Sequence, residues 1–248
     1  MRPEQKKKLA AVLFWLAVWQ LAAVLIGHSL ILVGPVQVLG CLWRLAGEGA
    51  FWQSVGQTAV RILQGYLLGV AAGGLLAGAS ARQNWVRWLA DPVMSVIRAV
   101  PVASFIILVL FCVSSARLCA VVVFLMVLPV VYTGFLQGLD ARDKALAEMA
   151  AVFRVNGLRR LRYLTLPQLL PWMAQSCRTA VGLAWKSGVA AEVIGLPDGS
   201  IGERLYQTKL FLETGELFAW TLVIVLLSAL CERAIAGALA ALERRLAA

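Results

Sequence analysis

Apolar residues fall along the chain in six long runs, at residues 9–33, 52–77, 92–110, 118–136, 169–194 and 217–239, with most charged residues between them. A run of about 20 residues is long enough, as a helix, to cross the hydrocarbon core of a bilayer. Inside hydrocarbon every backbone amide needs a partner within its own segment, so runs of this length predict helices. The pattern predicts an all-α polytopic membrane protein with six transmembrane helices, forming a single domain over residues 1–248. The third run is the least regular, because Arg98 and Pro101 interrupt it. The first follows Lys6-Lys7-Lys8 as a signal peptide would. Its apolar stretch of about 25 residues exceeds a signal-peptide core and no small-x-small cleavage site closes it, so it is read as a retained span.

The connections are short, with two exceptions. Gly34-Pro35 and residues 36–46 read as a turn into a short interfacial helix outside the membrane. Residues 140–168 form a connection of about 29 residues, helical in composition from Ala145 to Ala151 and then rich in arginine. A segment that helical and that charged belongs at the membrane surface. With the amino terminus inside, the inner segments hold fifteen Lys and Arg residues and the outer loops four (Arg44, Arg117, Arg204, Lys209). That asymmetry places both termini and the 140–168 loop in the cytoplasm.

Composition agrees with a membrane protein. The chain is 61% hydrophobic and 15% charged, against about 45–50% and 25% for soluble domains. Its net charge of +10 lies between the apolar runs rather than on one polar face, which argues against nucleic acid as a partner. Five scattered cysteines without a CxxC pair, and the single His28, make no metal site. The second run is dense in glycine, with Gly65/Gly69 and Gly74/Gly78 at a spacing that lets helices approach closely. Packing inside one bundle is the favoured reading. Trp15, Trp19, Trp52, Trp85, Trp88, Trp172 and Trp220 cluster near run ends, as interfacial aromatics do.

Within the inner loop the chain reads Glu148-Met149-Ala150, then Val152-Phe153-Arg154, Gly157, and Leu164-Thr165-Leu166-Pro167. This resembles the EAA loop of ATP-binding-cassette importer permeases. Glu148 and Ala150 stand where that family has Glu and its second Ala, Met149 replaces the first Ala, and Leu164 stands in for Ile ahead of the closing Pro167. Arg98-Ala99-Val100-Pro101 resembles the Arg-x-Ile-Pro of the family's third span. Leu183-Ala184-Trp185-Lys186 with Ala191-Glu192-Val193-Ile194-Gly195 resembles the fifth-span region of the nitrate, sulfonate and taurine type.

The resemblance covers most of the chain. It implies a permease subunit of the bacterial inner membrane that moves a small anionic or polar solute into the cytoplasm by alternating access. It also implies two ABC ATPase subunits, a second permease copy in a homodimer, and an extracytoplasmic solute-binding protein. ATP and Mg would sit on the partner ATPase, with no cofactor in this chain. Similar proteins handle nitrate, sulfonates, taurine or pyrimidine precursors of thiamine, and no residue here separates these. The residues expected to couple to the ATPase are Glu148, Met149, Ala150, Val152, Phe153, Arg154, Gly157 and Pro167. Arg154 stands at the family's Gly position. A left-handed backbone there would cost a residue with a side chain about 1–2 kcal/mol, so either the turn moves to Asn156-Gly157 or the helix continues through Arg154.

A short helix carrying Met149, Val152 and Phe153 can seat in a partner's groove, with Glu148 at its edge. The sequence contains no GxxxxGK[ST] phosphate loop, so the expectation is a transporter subunit and not an enzyme. Arg61, Arg98, Arg178 and Lys186 lie in or at the ends of runs, where charge is expensive and commonly functional, and are candidates for the substrate pathway. For Arg98 the alternative is a side chain reaching back to the inner surface. Glu192 is the one acidic group clearly in a run and is expected near the outer surface. A self-sufficient secondary transporter or channel would need an ion site or polar filter, and a membrane enzyme a cluster of reactive groups. Neither pattern is present.

Overall fold

A computed structural model of the chain describes residues 3–28 and 32–247. Arg2 and residues 29–31 of the first apolar run lie outside the described residues, as do the side chains of Lys6, Lys8, Lys144 and Arg245. Every regular element among the described residues is helical: α1 (Pro3–Ile26), α2 (Pro35–Ala46), α3 (Gly49–Arg82), α4 (Asn84–Ala99), α5 (Val102–Leu110), α6 (Ser115–Asp140), α7 (Lys144–Val152), α8 (Gly157–Arg160), α9 (Leu166–Gly195), α10 (Ile201–Leu210) and α11 (Thr214–Ala247). A π turn over Leu161–Thr165 joins α8 to α9, so one helical rod runs from Gly157 to Gly195. The π turn is closed by the Leu166 amide donating to the Leu161 carbonyl. Pro167 follows at once, and its ring would clash with a carbonyl four residues back in a regular α turn; the wider turn relieves that clash.

Three of these helices are long and apolar enough to cross a bilayer: Gly49–Arg82, Ser115–Asp140 and Thr214–Ala241. Ala10–Ile26 is a shorter apolar helix. The third apolar run is not one straight helix. Pro101 has no amide to donate and pushes Val100 into extended backbone (φ −72, ψ 129), which ends α4. The chain then turns through 104° into α5, making a broken span. Helix α9, which contains the fifth run, is long enough at 30 residues but is not among the three that are also apolar enough, with Arg178, Lys186 and Glu192 in its course. Pro35 starts α2, where a missing amide costs nothing.

Helix α6 is the centre of the bundle, packed most extensively against α3 and α9. Its buried side chains Val123, Val127 and Val131 share a core with Ile62 and Tyr66 of α3 and Val181, Ala184 and Trp185 of α9. A second core joins α2, α3, α10 and α11 around Val38, Phe51, Ile201 and Trp220. Trp220 is therefore not an interfacial aromatic: it is buried, with its ring 4.9 Å from that of Phe51. Elsewhere, large apolar side chains point outward from α1, α3 and α11, including Phe14, Trp15, Leu25, Leu67, Leu75, Val225 and Leu230. An apolar belt of that extent on a helical bundle is a lipid-facing surface.

The glycines of α3 explain how α6 comes so close. A Cβ on Gly65 would lie 2.4 Å from the Ala120 carbonyl oxygen, one on Gly69 2.7 Å from a Val127 methyl, and one on Gly73 2.9 Å from the Leu128 carbonyl oxygen. The small-residue face thus packs within the bundle, on α6. Gly78 meets nothing within 4 Å and takes no part.

Candidate functional site

The loop read as the coupling segment is built outward from the end of α6. Asp143 caps α7, its Oδ1 accepting from the amides of Ala145 (2.8 Å) and Leu146 (3.4 Å). The Asp143 amide donates to Gln168 Oε1 at 2.9 Å, which ties the start of α7 to the start of α9. Along α7 the small Ala150 faces the bundle and is buried, while Met149, Val152 and Phe153 are 48%, 80% and 74% exposed. Glu148 is also exposed and makes no hydrogen bond or ion pair among the described residues.

The end of α7 takes neither geometry expected for Arg154: the turn does not move to Asn156-Gly157 and the helix does not continue. Arg154 has φ 49, the left-handed region, and the Val155 amide donates to the Ala150 carbonyl at 2.9 Å. That six-to-one bond with a left-handed residue inside it is the helix-terminating arrangement that usually carries glycine. Gly157 instead begins α8, with nothing within 4 Å of where a Cβ would be. The turn stays at Arg154 and the side chain is accommodated at a cost. Arg154→Gly is expected to remove about 1 kcal/mol of local strain and to raise hydrogen-exchange protection of the α7 amides; equal or lower protection would contradict this geometry.

The intramembrane charges fall into three settings. Arg61 of α3 is paired: its Nη1 lies 3.5 Å from Glu192 Oε1, and its Nη2 donates to the Asp198 carbonyl at 3.3 Å. The Arg61 side chain is 18% exposed and that of Glu192 0%. Glu192 Oε2 also accepts from Thr58 Oγ1 (2.8 Å) and from the Gly202 amide (3.4 Å). Thr58 Oγ1 in turn accepts from the Ile201 amide at 3.0 Å. Glu192 is thus a buried residue joining α3, α9 and α10.

Arg178 and Lys186 are exposed on α9. With Gln175, Thr179 and Gly182 they form one stripe at three- to four-residue spacing, and no atom outside the helix's own turns approaches the Gly182 Cβ position. Arg98 is exposed in the last turn of α4, its Nε donating to the Met94 carbonyl at 3.4 Å. It lines a cleft of about 290 Å³ between α4 and α6, shared with Arg87, Asp91, Ser95, Tyr132, Thr133 and Asp140. Within it Arg87 bridges to Asp140 (3.0 Å), and Tyr132 donates to Asp91 Oδ1 (2.7 Å). Arg61 is therefore not grouped with Arg178 and Lys186, and Arg98 belongs to a separate cleft.

Sequence reasoning did not find Thr58 or the central place of Glu192. The available signal was the three-residue spacing of Thr58 and Arg61, which puts a hydroxyl beside a guanidinium on one helix face. Nothing local indicates that Glu192, 131 positions beyond Arg61, completes the group.

The described residues thus form a multi-helix membrane bundle with an exposed, capped surface helix between two of its central helices. The chain belongs to the family of binding-protein-dependent transport system inner membrane components, whose model matches residues 65–248. It is 29% identical over 236 residues to the putative aliphatic sulfonates transport permease protein SsuC of Escherichia coli, covering 92% of this chain and 89% of that protein. It is 26% identical over 199 residues to the nitrate import permease protein NrtB of Synechococcus elongatus, covering 76% and 71%. Among solved structures, an amino acid ABC transporter crystallised with histidines shares the fold, with a TM-score of 0.56 at 16% identity over 76% of this chain and 90% of that one. The chain is a membrane transport component of the ABC type, not an enzyme. Membership implies partnership with an ATPase and a solute-binding component.

Proposed function

We propose that two copies of this chain form the membrane pathway of an importer for a small anionic or polar solute of the nitrate, sulfonate, taurine or thiamine-precursor class. Each copy crosses the membrane six times, with the broken α4–α5 pair as one span, and has both termini in the cytoplasm. Helix α7 of each copy seats in a groove of an ABC ATPase subunit, which holds ATP and Mg. The ATPase moves α7 as a lever, and the rod from Gly157 to Gly195 carries that motion into the membrane. An extracytoplasmic solute-binding protein delivers the cargo at the other end.

The observation that carries this reading is the form of α7: capped at its start, tied to α9 through Gln168, and presenting Met149, Val152 and Phe153 to solvent. Apolar side chains on a rigid, exposed helix call for a partner groove. The stripe of Gln175, Arg178, Thr179 and Lys186 supports the pairing of two copies. Charged groups on a spanning helix face protein or a water-filled cavity rather than lipid, and a second copy turns that face inward. A cationic wall favours anionic cargo.

Proteoliposomes test this directly. Uptake is expected only with the ATPase, ATP and the binding protein present; uphill transport by the chain alone would overturn the reading. Arg178→Gln is expected to lower uptake of an anionic cargo about tenfold and to affect a neutral analogue far less. Equal losses for both would remove Arg178 from substrate recognition.

A further inference from the structure

The link between α9 and α10 is a short irregular segment, residues 196–200, in which Leu196 (φ 46) and Gly199 (φ 69) both adopt left-handed backbone. The segment breaks the helical path, and its turns are closed by the Leu196 amide donating to the Glu192 carbonyl (2.8 Å) and the Gly199 amide to Glu203 Oε2 (2.6 Å). Helix α10 is held by apolar packing, with Ile201 buried against the α2–α3–α11 core, and by a polar network. The buried Glu192 carboxylate sits against the amino terminus of α10, accepting from the Gly202 amide directly and from the Ile201 amide by way of Thr58 Oγ1. Arg61 approaches the other carboxylate oxygen and also holds the Asp198 carbonyl. The packing is close: a Cβ on Gly202 would fall 2.4 Å from Glu192 Cβ, leaving room only for glycine. Ser200 caps α10 by accepting from the Glu203 amide at 3.0 Å.

This joint lies at the far end of the rod from α7. The 30 residues of α9 extend about 45 Å, from the Gln168 tie beside α7 to Gly195, which abuts Leu118 near the opposite end of α6. Beyond the joint, α10 ends in an exposed corner carrying Lys209, Leu210, Phe211 and Leu212. A push on that corner reaches α9 through the packing of α10 on α9 and through the polar network that ties the start of α10 to Glu192. Replacing a buried ion pair by apolar residues of similar volume is often neutral or stabilising, so stability alone is a poor account of this one.

We propose that Thr58, Arg61 and Glu192 are positioning residues that make α10 and α9 one rigid body, so that docking of the solute-binding protein on the outer corner is transmitted along α9 to the ATPase. The inference rests on the orientation and partners given under Proposed function. Energetic coupling can be carried by rigid elements joined through hydrogen-bond and ion-pair networks, and the Glu192 network joins α3, α9 and α10 at the place where the helical path is broken.

The test is the ratio of binding-protein-stimulated to basal ATP hydrolysis in the complete permease–ATPase complex in proteoliposomes. The binding protein is added with taurine, nitrate or an aliphatic sulfonate as cargo. Wild-type complex that shows no stimulation with any cargo would overturn the functional reading itself, before any variant is compared. With stimulation in hand, Thr58→Val keeps the side-chain shape and removes the bridging hydroxyl; it is expected to lower the stimulated-to-basal ratio about tenfold with basal hydrolysis retained. Thr58→Ser keeps the hydroxyl and should restore the ratio. Glu192→Gln keeps an acceptor but drops the charge that Arg61 faces, and should give an intermediate ratio. Unchanged stimulation in Thr58→Val would overturn the proposal. So would a parallel fall of basal and stimulated rates, or failure of both Thr58→Val and Glu192→Gln to assemble, since the network would then serve folding rather than transmission.

Discussion

Glu148→Arg is expected to leave the folded chain intact and to abolish productive coupling, with uptake falling tenfold or more while the permease still inserts and purifies normally. The first half follows from exposure. Glu148 makes no polar contact among the described residues, and a surface change of that kind typically shifts stability by about 0.5 kcal/mol or less. The second half follows from position. Glu148 shares α7 with Met149, Val152 and Phe153, the apolar groups proposed to enter the ATPase groove. Reversing a charge at the edge of such a contact can cost several kcal/mol when it meets a like charge, which is about tenfold for each 1.4 kcal/mol. Phe153→Asp should be at least as damaging, because it puts a carboxylate at an apolar anchor. ATP hydrolysis and uptake by the reconstituted complex give the reading; unchanged uptake in both variants would refute docking through α7.

What the sequence reveals and conceals here has a physical pattern. Apolar runs are set by solvation, a local property, so the helices containing residues 52–77, 118–136 and 217–239 were legible directly. The break after Arg98 was legible as an irregularity, because Pro101 constrains its own backbone and that of Val100. Its 104° angle was not, since it depends on what α5 packs against, around Ile106, Leu118 and Val122. Arg159, Arg160 and Arg162 made residues 157–168 look like surface loop. They are the inner end of the rod continuing into α9, because a helix goes on past the apolar zone as long as its backbone bonds are made. Arg154 shows the opposite limit: the cost of a left-handed side-chain residue argued for a moved turn or a continuing helix, and the Val155-to-Ala150 bond keeps the turn at Arg154 against that cost. The Thr58–Arg61–Glu192 joint was the least accessible, because its parts come from separate helices and only folding brings them together.

Gly65→Ala and Gly78→Ala are expected to act in opposite directions, although both lie in one helix and both fit a small-residue spacing. At Gly65 a single methyl would stand 2.4 Å from the Ala120 carbonyl oxygen and 2.8 Å from Val123 Cβ. The first is backbone of the buried central helix and cannot swing aside, so α3 must move off α6. Overpacking of this kind costs about 1–3 kcal/mol, and here it opens the extensive α3–α6 contact, which includes the close approaches at Gly69 and Gly73. Gly65→Val adds two more methyl groups at the same place and is expected to eliminate folded protein. At Gly78 the Cβ position is open. There alanine costs no contact and gains up to about 1 kcal/mol of helix propensity. Thermal unfolding of the detergent-purified chain, with monodispersity as a second reading, separates the two. If Gly65→Ala unfolds at or above the wild-type temperature, α3 and α6 are not in the contact that places Arg61 and Thr58 beside Glu192.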